Sequence, residues 1–176
     1  MKTFFSLICI GVLVTACNFT SAENYFDRAA LNSNKLVGFG SNDLIRFIEL
    51  KETNNLFIVN GNQVEPTTKV EEYIKGYIIP DIETNIETIR TLKATEETKE
   101  MIVKSLEVFE YAKNTYSKEY IAIAKMIDNN ESADAINLEL IKLDSLKVPR
   151  FDVLHSELWA LALPYAEANN IEVITH

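Results

Sequence analysis

The sequence predicts a mainly α protein, an antiparallel four-helix bundle with kinked helices, and three observations predict it. Apolar residues recur at spacings of three and four along three long stretches after residue 68. Short polar turns separate those stretches. Glycine and proline number only five and four, which disfavours a loop-rich all-β fold. Three long amphipathic helices, with a broken fourth before them, bury their apolar stripes most simply by packing on one another.

The broken element spans Tyr25 to Leu50. Tyr25, Phe26, Ala29, Ala30, Leu36, Val37, Leu44, Ile45, Phe47 and Ile48 sit near helical spacing. Gly38 and Gly40 interrupt them, each costing about 1 kcal/mol relative to alanine in a helix interior. Either one loosened helix or two short ones result, with Ser41 or Asn42 placed to cap a restart. Leu56-Phe57-Ile58-Val59 is β-prone and Asn60-Gly61 is a hairpin signal. The returning Asn62-Gln63-Val64 is short and polar, so residues 56–64 read as a short irregular or β-like loop.

Thr68-x-x-Glu71 matches a capping box, with Thr68 as N-cap. The helix it opens runs to about Leu92 on the stripe Val70, Tyr73, Ile74, Tyr77, Ile78, Ile82, Ile86, Ile89. The next runs from about Thr95 to Asp128 on Met101, Ile102, Leu106, Phe109, Ala112, Tyr116, Tyr120, Ile123, Ile127. After the turn Asp128-Asn129-Asn130-Glu131, Ser132 caps a last helix on Ile136, Leu140, Leu143, Leu146, Phe151, Leu154, Leu158, Leu161, Tyr165. Asn169 and Asn170 suit its C-terminal cap, and an extended tail follows. Pro80, Pro149 and Pro164 lie inside these helices. Their i−4 residues are Gly76, Ser145 and Ala160, all small, which favours continuous kinked helices over breaks.

The N-terminus carries a different pattern. Lys2 and the free amine precede an uncharged run of eleven residues, Phe4 to Val14. Such a run fits a signal-peptide core and falls short of the roughly 20 residues of a membrane span. Leu13-Val14-Thr15-Ala16-Cys17 then resembles the lipobox of bacterial lipoproteins, with Val14 and Thr15 where leucine and a smaller residue are commoner. The resemblance implies cleavage between Ala16 and Cys17, with Cys17 lipidated. Residues 1–16 are then a removed signal, 17–23 a lipidated tether and 24–176 a single helical domain. One acyl chain binds a bilayer marginally and two or three bind it durably. The expected location is the cell envelope, at the outer membrane if the organism has one, because Asn18 stands where aspartate commonly retains lipoproteins at the inner membrane. The mature part also resembles uncharacterised small helical lipoproteins, on Asn32-Ser33-Asn34-Lys35-Leu36 and Tyr165-Ala166-Glu167-Ala168-Asn169-Asn170-Ile171.

Loss of the first 16 residues removes Cys9 and Lys2, leaving Cys17 as the single cysteine and a net charge of −10. Disulfides and thiolate zinc sites are thereby excluded. An acidic surface is a poor match for nucleic acid, whose binding rests on lysine and arginine. A basic protein partner fits it, as does plain solubility.

No catalytic set, metal site or cofactor is expected. Di-iron bundles need two Glu-x-x-His motifs, and the nearest match is one Asp152-x-x-His155. Haem attachment motifs, a Gly-x-Ser-x-Gly elbow, a phosphate-binding glycine loop and an EF-hand are missing. His155 reads as a boundary histidine. The carboxylates Glu71-Glu72, Glu96-Glu97, Glu107 and Glu110 read as a solvated face. Tyr111, Tyr116 and Tyr120 with Phe109 make one helix unusually aromatic, which points to core packing or to a groove for a peptide or apolar ligand. Trp159, beside Leu158, is a candidate partner-facing anchor, as is Tyr111. The expected function is a membrane-anchored, non-enzymatic binding or envelope-interaction module. The alternatives are an immunity lipoprotein against a basic toxin, and a metal- or ligand-dependent protein using His155.

Overall fold

A computed structural model describes residues 21–173. The signal segment, the Ala16–Cys17 junction, residues 17–20 of the tether and His176 lie outside the described residues. Among those described, the chain is mainly helical, with five helices and one two-stranded antiparallel sheet. None of the described helices is long and apolar enough to cross a membrane.

Helix α1 is Ala22–Ala29, capped by Ser21, whose hydroxyl accepts from the Asn24 N–H at 3.2 Å. A 3-10 segment, Leu31–Leu36, follows it. Helix α2 is Ser41–Glu52. The expected break at Gly38-Phe39-Gly40 is therefore real, but neither Ser41 nor Asn42 caps the restart. Gly40 occupies the cap position with φ +112°, and the missing acceptor comes from far away in sequence. The Ser41 N–H and hydroxyl both donate to the Asp144 carboxylate, at 2.7 and 2.6 Å.

Residues 57–66 form a true hairpin, which corrects the loop expected there. β1 (Phe57–Asn60) pairs with β2 (Gln63–Pro66), Asn60 opposite Gln63. The central pair is thus Gly61-Asn62, one residue later than the Asn60-Gly61 signal, and Gly61 supplies φ +61°. The polar β2 persists because β1 packs its Phe57 ring against Tyr73 and Tyr77.

Helix α3 covers 70–90: Val70–Tyr73, a π turn Ile74–Ile78, then Ile79–Arg90. The π turn lies just before Pro80, where the missing proline N–H leaves the ladder of i→i+4 bonds one donor short. Gly76 has a further reason to be small. A Cβ there would sit 2.8 Å from Ile58 Cγ2, so the glycine admits the hairpin against α3. The expected capping box is not formed. Thr68 lies outside the helix, whose cap position is Lys69. Its first N–H groups, of Val70 and Glu71, donate instead to the two oxygens of Asp128 at 3.0 and 2.9 Å.

Helix α4 covers 99–128: Lys99–Thr115, a second π turn Tyr116–Tyr120, and Ile121–Asp128. Thr95 and Thr98 exchange N–H···Oγ bonds ahead of it. Helix α5 is Ala133–Ala168, continuous through Pro149 and Pro164 and capped by Ser132 as expected. Three helices end alike. Asn54, Asn130 and Asn170 take φ near +56°, and the following N–H reaches back five residues to the carbonyls of Leu50, Met126 and Ala166. This is the Schellman ending with asparagine in place of glycine.

The predicted stripes of α3 and α4 line one core built around Phe26, Phe47, Ile74, Ile86, Phe109 and Leu158. In α5 one stripe residue is misplaced, since Leu146 is 71% exposed. The core face passes through Lys147 instead. Its stem is half-buried, its ammonium meets Glu119 at 2.6 Å, and its carbonyl accepts the Tyr111 hydroxyl at 3.0 Å.

Candidate functional site

Helix α5 places Phe151, His155 and Trp159 on one face, because residues four apart are stacked one turn above another. The N-terminal elements are fastened along this row. Phe39 stacks on Phe151 with ring centroids 4.3 Å apart. Phe151 stacks in turn on His155 at 5.6 Å, and Trp159 meets the Phe26 ring edge-on at 6.0 Å. The Trp159 indole N–H donates to His155 Nε2 at 3.1 Å. Ser33, wholly buried, has its hydroxyl 2.6 Å from the Ala30 carbonyl and 3.1 Å from the same nitrogen. Accepting from tryptophan requires a lone pair on Nε2, so the neutral ring carries its proton on Nδ1. Burial pushes the His155 pKa below its ordinary 6.5, opposed by the charge of Asp152.

Above this row lies a groove, a trough of about 750 Å³. Its walls are α1, the 3-10 segment, α5 and the tail after α5. The floor is Phe26, Trp159 and His155, and Leu31, Val37 and Val173 add apolar lining. Val37 is 82% exposed. The charged residues lining the trough are Glu23, Asp27 and Glu172, all acidic. None of the three forms an ion pair among the described residues.

A second polar constellation lies deeper. Gly38-Phe39-Gly40 brings the start of α2 against the π turn of α4. The Tyr116 hydroxyl donates to the buried Asp43 carboxylate, which also accepts from Arg46 at 2.9 Å. Tyr120 stacks on Tyr116 at 4.0 Å and donates to the Gly40 carbonyl at 2.9 Å. Burial raises the Asp43 pKa above its ordinary 3.8, against the Tyr116 bond and the Arg46 charge. Burial likewise holds both phenols far above the ordinary range. Every polar atom named here has a protein partner, so the constellation ties α2 to α4.

Two of the sequence candidates, His155 and Trp159, are thus neighbours in one groove, although nothing in their spacing beyond i,i+4 announced it. Tyr111 does not line the groove; its ring packs on Phe39 and its hydroxyl is bound to Lys147. Ala16 and Cys17 lie outside the described residues. The carboxylates read as solvated are indeed at the surface, with Glu71, Glu72, Glu96, Glu107 and Glu110 in ion pairs. Among the described residues no three His, Cys, Asp or Glu side chains are grouped to hold a metal ion. Ser33 and Asp43 escaped the sequence reading, since a lone serine or a first-turn aspartate carries no signal of burial. Compared with family models, with curated proteins and with solved structures, the chain gives no match.

Proposed function

We propose that the protein is a lipid-anchored, non-enzymatic binding module whose ligand site is the Trp159 groove. The observation that carries the reading is an open apolar trough floored by the chain's single tryptophan and rimmed by carboxylates that form no ion pair among the described residues. Ligand sites are concave and largely apolar, with a few polar groups that set orientation. The anchor rests on the lipobox resemblance of Leu13 to Cys17, and the envelope location rests on the anchor. The four-helix bundle belongs to the same reading; its support is that α3, α4 and α5 pack in sequence and α2 lies against α3 and α5.

His155 supports binding better than metal chemistry, because its Nε2 is engaged by Trp159 and Ser33 inside the fold. The acidic rim also favours a second reading, an immunity protein that neutralises a basic toxin domain. A photo-crosslinking amino acid at position 37, on the groove rim, tests both in intact cells. A discrete adduct that is lost in Trp159→Ala supports the binding reading, and a basic toxin domain in that adduct selects the second. A position-37 probe that captures nothing while the variant is folded and abundant overturns both. The anchor has its own test: Cys17→Ser is expected to release the protein from membranes, and retention there refutes lipidation.

A further inference from the structure

The groove has a shape and a charge that select its occupant. Leu31, Asn34 and Val37 recur every third residue along the 3-10 segment and its end, so they lie in line on one face. At about 2 Å per residue this wall is about 12 Å long. A docked helix with anchors at i, i+3/i+4 and i+7 spans about 10 Å. The opposing wall rises from one turn of α1 and one turn of α5. Glu23 and Asp27 stand four apart on α1, and Glu172 stands on the tail. Among the described residues no lysine or arginine lines the trough. Thirteen of the chain's other carboxylates are in ion pairs; these three, like ten more away from the trough, form none among the described residues, and here they meet on one apolar groove.

We propose that the Trp159 groove receives a short basic amphipathic helix of a protein partner, its apolar anchors on Phe26, Trp159 and Val37 and its lysines or arginines against Glu23, Asp27 and Glu172. This deepens the binding reading and rests on it. The charge of the rim steers and selects such a segment, and the apolar floor holds it.

Trp159 makes the test direct, because the single tryptophan reports on its own groove. The purified full chain is titrated with a leucine–lysine peptide of helical period that carries no aromatic residue. Parallel titrations use the same peptide with glutamate for lysine, and vesicles of zwitterionic phosphatidylcholine. The lysine peptide is expected to change Trp159 emission saturably. The triple variant Glu23→Gln, Asp27→Asn, Glu172→Gln is expected to weaken it about tenfold, the worth of three exposed ion pairs. Equal binding of both peptides, or no loss in the triple variant, overturns the basic partner while leaving the groove as a binding site. A response to vesicles alone overturns the peptide in favour of lipid. No response to any probe overturns the basic helix and removes the support for the binding reading as well.

Discussion

Asp128 ends α4 yet starts α3, and its removal tests whether a helix here is capped from across the fold. Its two oxygens accept the Val70 and Glu71 N–H groups at 3.0 and 2.9 Å, and the Lys51 ammonium lies 2.8 Å away. The side chain is 10% exposed and that of Lys51 26%. Asp128→Ala removes a charged N-terminal cap, worth about 1–2 kcal/mol. It also breaks a partly buried ion pair, worth about 1 kcal/mol more. The expected loss is about 3 kcal/mol, a fall of about 6–12 °C in Tm for a chain of this size. Asp128→Asn keeps one acceptor oxygen and should lose about half as much. Thr68→Ala, the cap position that local sequence indicates, should change stability by less than about 0.5 kcal/mol. Urea unfolding followed by helical circular dichroism measures all three, with an unchanged m-value showing that the native fold is retained. If Thr68→Ala cost as much as Asp128→Ala, or if the aspartate variant lost under about 1 kcal/mol, the tertiary cap would be wrong.

The remaining predictions concern close approach and titration. Gly76→Ala gains about 1 kcal/mol of helix propensity but forces its Cβ to 2.8 Å from Ile58 Cγ2, so a net loss of about 1 kcal/mol is expected. In an Ile58→Gly background, which removes both Cγ2 and the Cβ that would lie at 2.9 Å, the same change should turn stabilising, and additivity of the two would refute the contact. Asp43 has its folded pKa raised by burial above 3.8. The protonated form is therefore favoured by folding, and stability falls as pH rises from about 4 through the folded value. Asp43→Asn should lack this slope when unfolding curves are compared between pH 4 and 7. His155 behaves oppositely: burial lowers its pKa below 6.5, so stability is present above 6.5 and lost as pH falls through the folded value. Protonation takes the lone pair that accepts the Trp159 indole, so tryptophan emission should shift in the same window. An acid transition unchanged in His155→Gln would refute that link.

Much of the helical body was legible because its signals are local. The stripes of α3 and α4 follow from spacing alone, and so does the Asn169-Asn170 ending. The errors share one cause. Leu146 reads as inward because leucine is apolar, while Lys147, with its stem half-buried and its charge at Glu119, continues the core face. Thr68 and Ser41 read as caps because they are the right residue types nearby; carboxylates 60 and 103 positions away hold those places. β2 is too polar to read as a strand, and it stands because Gly76 clears space for the hairpin on α3.

The candidate site divides the same way. His155 and Trp159 were visible as the unusual residues of α5, four apart, and their separation places both on one helix face. That they share a hydrogen bond beneath a groove depends on Phe26 and Ser33 arriving from more than a hundred residues earlier. The sequence by itself determined where the long helices run, how the last of them ends, and the acidity of the whole chain, because periodicity, asparagine's tolerance of positive φ and charge are properties of neighbours. Only the tertiary structure decided which carboxylates cap which helices, which are left uncompensated, and that three of those line one apolar trough. Such arrangements are set by packing between distant segments, and no local pattern encodes them.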